Sequence, residues 1–156
     1  MTLERITRFS VAQEIVRGTE EQLRKAGRDG YELFVLWSGN VERDRFFVRT
    51  QHVPKQTSYK LEGGGLCVRV DGDALHELNS WLYENREILG VQVHAHPTEA
   101  FHSDTDDTFP IVTVAGGLSV VAPDFCNRDL LGPRSAAFRL IGGIWIEQPL
   151  SVIEVR

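Results

Sequence analysis

Apolar positions recur along this chain with two different periods. From Val11 to Ala26, Val11, Ile15, Val16 and Leu23 fall at near-helical spacing, which predicts an amphipathic helix. Ser10 stands where an N-cap would be and Gly27 where a stop would be. Tyr31–Trp37 (YELFVLW) is aromatic and branched and alternates, which predicts a strand ended by Ser38-Gly39-Asn40. Residues 43–53 form its hairpin partner, closed by Pro54, which has no amide to give a ladder. Residues 55–65 are polar and end in three glycines, the pattern of a surface loop. Leu66–Val70 predicts a short strand. Asp73–Leu89 predicts a second helix, with Leu75, Leu78, Leu82 and Ile88 on its buried face and Gly90 as its stop.

The last third is built from short apolar runs. Val91–Ala95 reads as a strand and Ser103–Thr108 as a short helix. Ile111–Ala115, Gly116-Gly117 and Leu118–Ala122 have the form of a β-hairpin. Strand-like runs follow at Phe138–Ile141, Ile144–Ile146 and Val152–Val155. The expected fold class is α/β: a central mixed sheet, two main flanking helices and the short helix at 103–108. No repeat, linker or low-complexity stretch divides residues 1–156, so one domain is expected.

Composition narrows the function. A formal charge of −5 gives no basic stripe for phosphates, so nucleic acid is not the expected partner. No apolar run approaches the ~18–20 residues of a membrane helix, and the N-terminus lacks a secretory pattern. Cys67 and Cys126 are too far apart in sequence for a disulfide framework. They are expected to be buried thiols of a cytoplasmic protein.

The chemistry concentrates in HAHPTEAFHSDTDD, residues 94–107. Residues two apart on a strand share a face, so His94 and His96 turn two imidazoles to one side. Pro97 then forces the chain off the strand. If 103–108 is a turn of helix, Ser103 and Asp106 stack on one face toward the histidines. Asp104, Asp106 and Asp107 could each ligate a metal. Ser103 and the acids also suit a helix start, which alone leaves the histidine pair unexplained. Two His and one carboxylate leave a fourth zinc position for water, whose pKa zinc lowers from ~15.7 to ~7. A base is also needed. Glu32, an acid in an apolar strand, suits that task if partly buried. His102, His52 and His76 are read as orienting, structural or surface residues.

The string His94-x-His96-Pro97…Ser103-x-x-Asp106, with Glu32 upstream, resembles the JAB/MPN+ (JAMM) zinc metalloproteases over most of residues 10–125. The resemblance implies that His94, His96 and Asp106 bind zinc, that Glu32 is the general acid/base and that Ser103 bonds the oxyanion. Six residues rather than the family's usual seven separate His96 from Ser103, which leaves Asp107 open as the third ligand. The length and the HAHP segment look like the small bacterial JAB peptidases encoded with ubiquitin-like, E1-like and E2-like proteins in antiphage operons. The implied activity is a peptidase or isopeptidase acting at the C-terminus of a ubiquitin-like protein. Two rivals stand beside it. One is a JAB peptidase that trims a sulfur-carrier protein in cofactor or cysteine biosynthesis. The other is a non-catalytic scaffold that binds a ubiquitin-like partner.

Overall fold

The computed structural model describes residues 2–63, 65–103 and 110–156. Among the described residues, ten strands and two main helices follow one another as β1 (Arg8–Val11), α1 (Gln13–Arg28), β2 (Phe34–Glu42), β3 (Arg45–His52), β4 (Gln56–Lys60), β5 (Leu66–Val70), α2 (Gly72–Asn85), β6 (Ile88–Ala95), β7 (Leu118–Ala122), β8 (Ala136–Ile141), β9 (Ile144–Gln148) and β10 (Ile153–Val155). Eight strands form a mixed sheet in the order β10-β1-β3-β2-β6-β7-β8-β9, and β4 and β5 form a separate ribbon. The expected α/β class with two helices is the observed one. Among the described residues no helix is long and apolar enough to cross a membrane.

The two faces of the sheet bury different things. On one, Val35, Trp37, Val91, Val93, Leu118 and Val120 pack with Val16 and Leu23 of α1 in the larger core. On the other, Phe34 and Leu36 pack with Leu78 and Leu82 of α2. This is the period-two rule at work: adjacent residues of β2 serve opposite cores. Trp37 is fully buried. Its indole N–H donates to Thr19 Oγ1 at 2.9 Å, which removes the cost of an orphaned donor.

Several expectations from sequence give way to tertiary contacts. Ser10 is not a cap: it lies in β1, and its hydroxyl accepts from Arg156 Nε at 2.9 Å. Ala12 holds the cap position without a side-chain bond. Gly27 does not stop α1, which runs on to Arg28. A Cβ at Gly27 would lie 2.4 Å from Phe125 Cβ, so this glycine is a close-packing position. Likewise Gly90 belongs to β6, with a would-be Cβ 2.6 Å from the Phe46 ring. Helix α2 ends earlier than expected, at Arg86 in the left-handed region, and hands Ile88 and Leu89 to β6. Strand β2 continues through Ser38-Gly39-Asn40 by way of a bulge between Ser38 and Gly39.

Two loop and hairpin assignments also change. Residues 56–60 are not a loop; they pair antiparallel with β5 from Gln56↔Val70 to Lys60↔Leu66. The Gln56 amide anchors this ribbon by bonding Phe34 N–H and C=O. The hairpin expected over 111–122 does not form. Residues 111–115 are irregular, and β7 pairs parallel with β6 and antiparallel with β8. A polar side chain, Gln92, accepts from Ile111 N and Val112 N at 3.0 and 2.9 Å and so replaces the ladder there. The helix expected at 103–108 lies outside the described residues apart from Ser103.

Gly27→Ala separates helix propensity from packing. Alanine should gain about 1 kcal/mol as a helix former, and the clash with Phe125 should cost about 1–3 kcal/mol. A lower urea midpoint is expected; a raised one would show that Phe125 yields freely.

Candidate functional site

Strand β6 is the spine of the site. β2 flanks it antiparallel, with Phe34 opposite His94, and β7 flanks it parallel, with Val121 opposite His94. Its apolar residues, Val91, Val93 and Ala95, enter the larger core. Its alternate residues Gln92 and His94, and His96 just past its end, turn to the α2 side of the sheet, and all three are buried. After His96 the chain leaves the sheet. His96 N–H still donates to Ala122 C=O at 2.9 Å, and His96 C=O accepts from Phe125 N–H at 2.8 Å. The second histidine is therefore held by its backbone at the end of the ladder.

The two imidazoles converge as the strand period requires. His94 Nε2 and His96 Nε2 are 3.1 Å apart, with ring centroids 5.0 Å apart. Either one ring donates to the other, or both lone pairs meet at one ion. Two nitrogens at ~2.0–2.1 Å from a tetrahedral ion stand roughly 3.3 Å apart, so this spacing fits shared coordination. Aromatic walls fix both rings: Phe34 lies 4.7 Å from His94, and Phe101 meets His96 edge-on at 4.5 Å. Phe101 is itself half exposed, so it forms the outer lip of the site.

The other expected residues are distributed as follows. Glu32 lies just before β2 rather than within it, two residues from the Phe34 that packs on His94. It is half-buried and lines a cavity of about 480 Å³ with Lys25 of α1, Asp29 just past that helix, and Gln56 and Ser58 of β4. Ser103 is half-buried and follows His102. Asp106, with Asp104 and Asp107, lies outside the described residues. Among the described residues no group of three or more His, Cys, Asp or Glu gathers to hold a metal. Two imidazoles on one strand followed by an acid-rich segment nonetheless form a donor set suited to zinc.

His102 is half-buried. Its Nε2 pairs with Ser119 Oγ at 3.1 Å, and its ring sits about 5 Å from those of Phe138 and Trp145. Gln92 is the residue that sequence reasoning missed. The signal was present, because a lone amide in VQVHA falls two positions before His94, on the histidine face. Cys67 and Cys126 are buried free thiols. Burial pushes the Cys126 thiol up to about 11, so it stays protonated near neutral pH.

A second cavity, of about 620 Å³, begins at Phe34 and runs between β5, the start of α2 and residues 110–113. Val68, Val70, Leu75 and Ile111 give it an apolar lining. Phe34, whose ring packs on His94, is also part of this lining, and the β4–β5 ribbon bounds the cavity.

No protein-family model matches the sequence. The chain is 35% identical over 152 residues to a protein of Sinorhizobium fredii (strain NBRC 101917 / NGR234) named "Probable metalloprotease y4jG". That match covers 97% of this chain and 93% of the relative. Among solved structures, the fold is similar to the solution structure of protein DSY2949 from Desulfitobacterium hafniense, with a TM-score of 0.64 and 14% identity. The likeness covers 95% of this chain and 92% of that one.

His52, outside the site, gives a pH test of the scaffold. It bonds Ser38 Oγ at 2.7 Å and packs edge-on against Trp81. Desolvation lowers its pKa from 6.5. The unfolded chain therefore binds more protons between the lowered folded value and 6.5, and stability falls as pH drops through that window. His52→Gln should show a smaller loss of urea midpoint between pH 7.5 and 5.5 than wild type. Equal losses would mean that His52 is not the group responsible.

Proposed function

The chain belongs to the family of that probable metalloprotease, and from this premise we propose that it is a zinc-dependent peptidase or isopeptidase of the JAB/MPN (JAMM) type. The observation that carries this reading is the buried His94–His96 pair, with Nε2 atoms 3.1 Å apart at the end of β6. His94, His96 and Asp106 would hold the metal. When bound, zinc supplies a Lewis acid for the scissile carbonyl and a water made acidic near neutral pH. Glu32 would take a proton from the attacking water and deliver it to the leaving amine. Ser103 donates its hydroxyl to the developing oxyanion.

The proposed substrate is the C-terminus of a ubiquitin-like protein, cleaved from its targets or from a precursor extension. The likeness of HAHPTEAFHSDTDD to the small bacterial JAB proteins supports this. So does the apolar slot of about 620 Å³ beside Phe34, which offers an apolar lining to a substrate tail. In this reading residues 1–156 form one cytoplasmic JAB/MPN-like domain that works with E1-like and E2-like proteins in an antiphage system.

The test is to measure metal content and cleavage together, with a ubiquitin-like protein extended at its C-terminus as substrate. Wild type should contain zinc and cleave, and a chelator should abolish cleavage. Glu32→Gln should keep zinc and lose roughly 10²–10⁴-fold in turnover. His94→Ala should lose both. A fully active Glu32→Gln would place the base elsewhere, and zinc-loaded wild type that leaves the fusion intact would sink the substrate assignment. Val68→Arg, which projects into the slot, should raise KM with little change in kcat. An unchanged KM would move the substrate tail to another surface.

A further inference from the structure

In sequence, residues 103–109 form the acid-bearing middle of the excursion from β6 to β7. Gln92 stands where both ends of that excursion are tied down. Its Oε1 accepts from Ile111 N at 3.0 Å and Val112 N at 2.9 Å, which fixes the end that follows the acids. Its Nε2 donates to Ser119 Oγ at 3.2 Å. The same Ser119 hydroxyl pairs with His102 Nε2 at 3.1 Å, which fixes the end that precedes Ser103. Gln92 and Ser119 are both fully buried and lie side by side in the β6–β7 register. A buried amide between Val91 and Val93 is costly unless satisfied, and this one makes three hydrogen bonds. Two of them need the carbonyl end toward residues 111 and 112, so the bonding pattern sets the orientation of the amide.

We propose that Gln92 is a positioning residue for the metal centre: through Ser119, His102 and the amides of Ile111 and Val112 it clamps both ends of the acid-bearing segment against the strand that presents His94 and His96. The inference rests on the metallopeptidase reading, and it adds a residue that neither touches substrate nor binds metal. Its effect should be felt in metal affinity, as for outer partners of metal ligands generally.

The experiment is a zinc titration of the full chain against a chelating indicator, with thermal unfolding of the metal-free protein alongside. Gln92→Leu keeps the size of the side chain and removes the clamp; the zinc Kd should rise on the order of 10–100-fold. Ser119→Ala removes only the hydroxyl shared with His102 and should raise Kd in the same direction by less. Val120→Ala trims the opposite face of β7, in the larger core, and should lower the unfolding temperature while leaving Kd at its wild-type value. A purely structural Gln92 would make Gln92→Leu behave like Val120→Ala. Wild-type Kd in both Gln92→Leu and Ser119→Ala overturns the clamp alone. Should Gln92→Leu fail to fold, Ser119→Ala decides. Wild type that takes up no zinc overturns the clamp and the metallopeptidase reading together.

Discussion

The alternation of β6 governs everything else. One strand has to be core on one face and chemistry on the other, with no slack between them. Val91, Val93 and Ala95 lock it into the larger core, and that same lock holds Gln92, His94 and His96 in register on the reverse side. A slip by one residue would exchange the two sets, burying imidazoles among valines and turning valines to the site. The neighbours β2 and β7 forbid such a slip, because both are apolar where they face the larger core. The precision of a pair of nitrogens 3.1 Å apart is therefore inherited from hydrophobic packing.

Much of this was legible in the sequence because it depends on local periods. The helices, the β2–β3 hairpin, strand β6 and the shared face of His94 and His96 follow from spacings of 3.6 and 2. What could not be read locally depends on distant partners. Gly27 and Gly90 look like helix stops until Phe125 and Phe46 are seen against them. The polar stretch 56–60 becomes a strand only because β5 and the Phe34 backbone receive it. Ile111–Ala115 has strand composition, yet the Gln92 carbonyl takes two of its amides. Glu32 reads from sequence as an acid within an apolar strand, yet it lies just outside β2, against a cavity that residues of α1 also line, because β2 begins only at Phe34.

The turn behind His96 is built under strain. Asp124, Phe125 and Cys126 have φ values of 53°, 53° and 61°, in the left-handed region that non-glycine residues avoid. Each costs about 1–2 kcal/mol, so the surroundings must hold the turn in place. Asp124 N–H donates to Thr98 C=O and Phe125 N–H to His96 C=O. From the helix side, Arg24 Nε donates to Cys126 C=O at 2.7 Å, and Arg134 pairs with Asp124 at 2.6 Å. Gly27 admits the Phe125 side chain. Helix α1 contributes no residue to the histidine pair, yet it braces the turn on which His96 rests.

The far edge of the sheet has a bearing on how the chain is made. Strand β1 lies between β3 and β10, parallel to both, and its pairing runs from Phe9↔Ile153 to Val11↔Val155. On a ribosome adding residues at roughly 5–20 per second, β1 would leave the exit tunnel on the order of ten seconds before β10. During that interval β2, β6 and β7 can already associate, while one edge of β1 stays open to any other extended chain. Strand β6, which carries His94, can thus settle between its neighbours before the sheet is sealed, and the hazard during synthesis falls on the edge farthest from the chemistry.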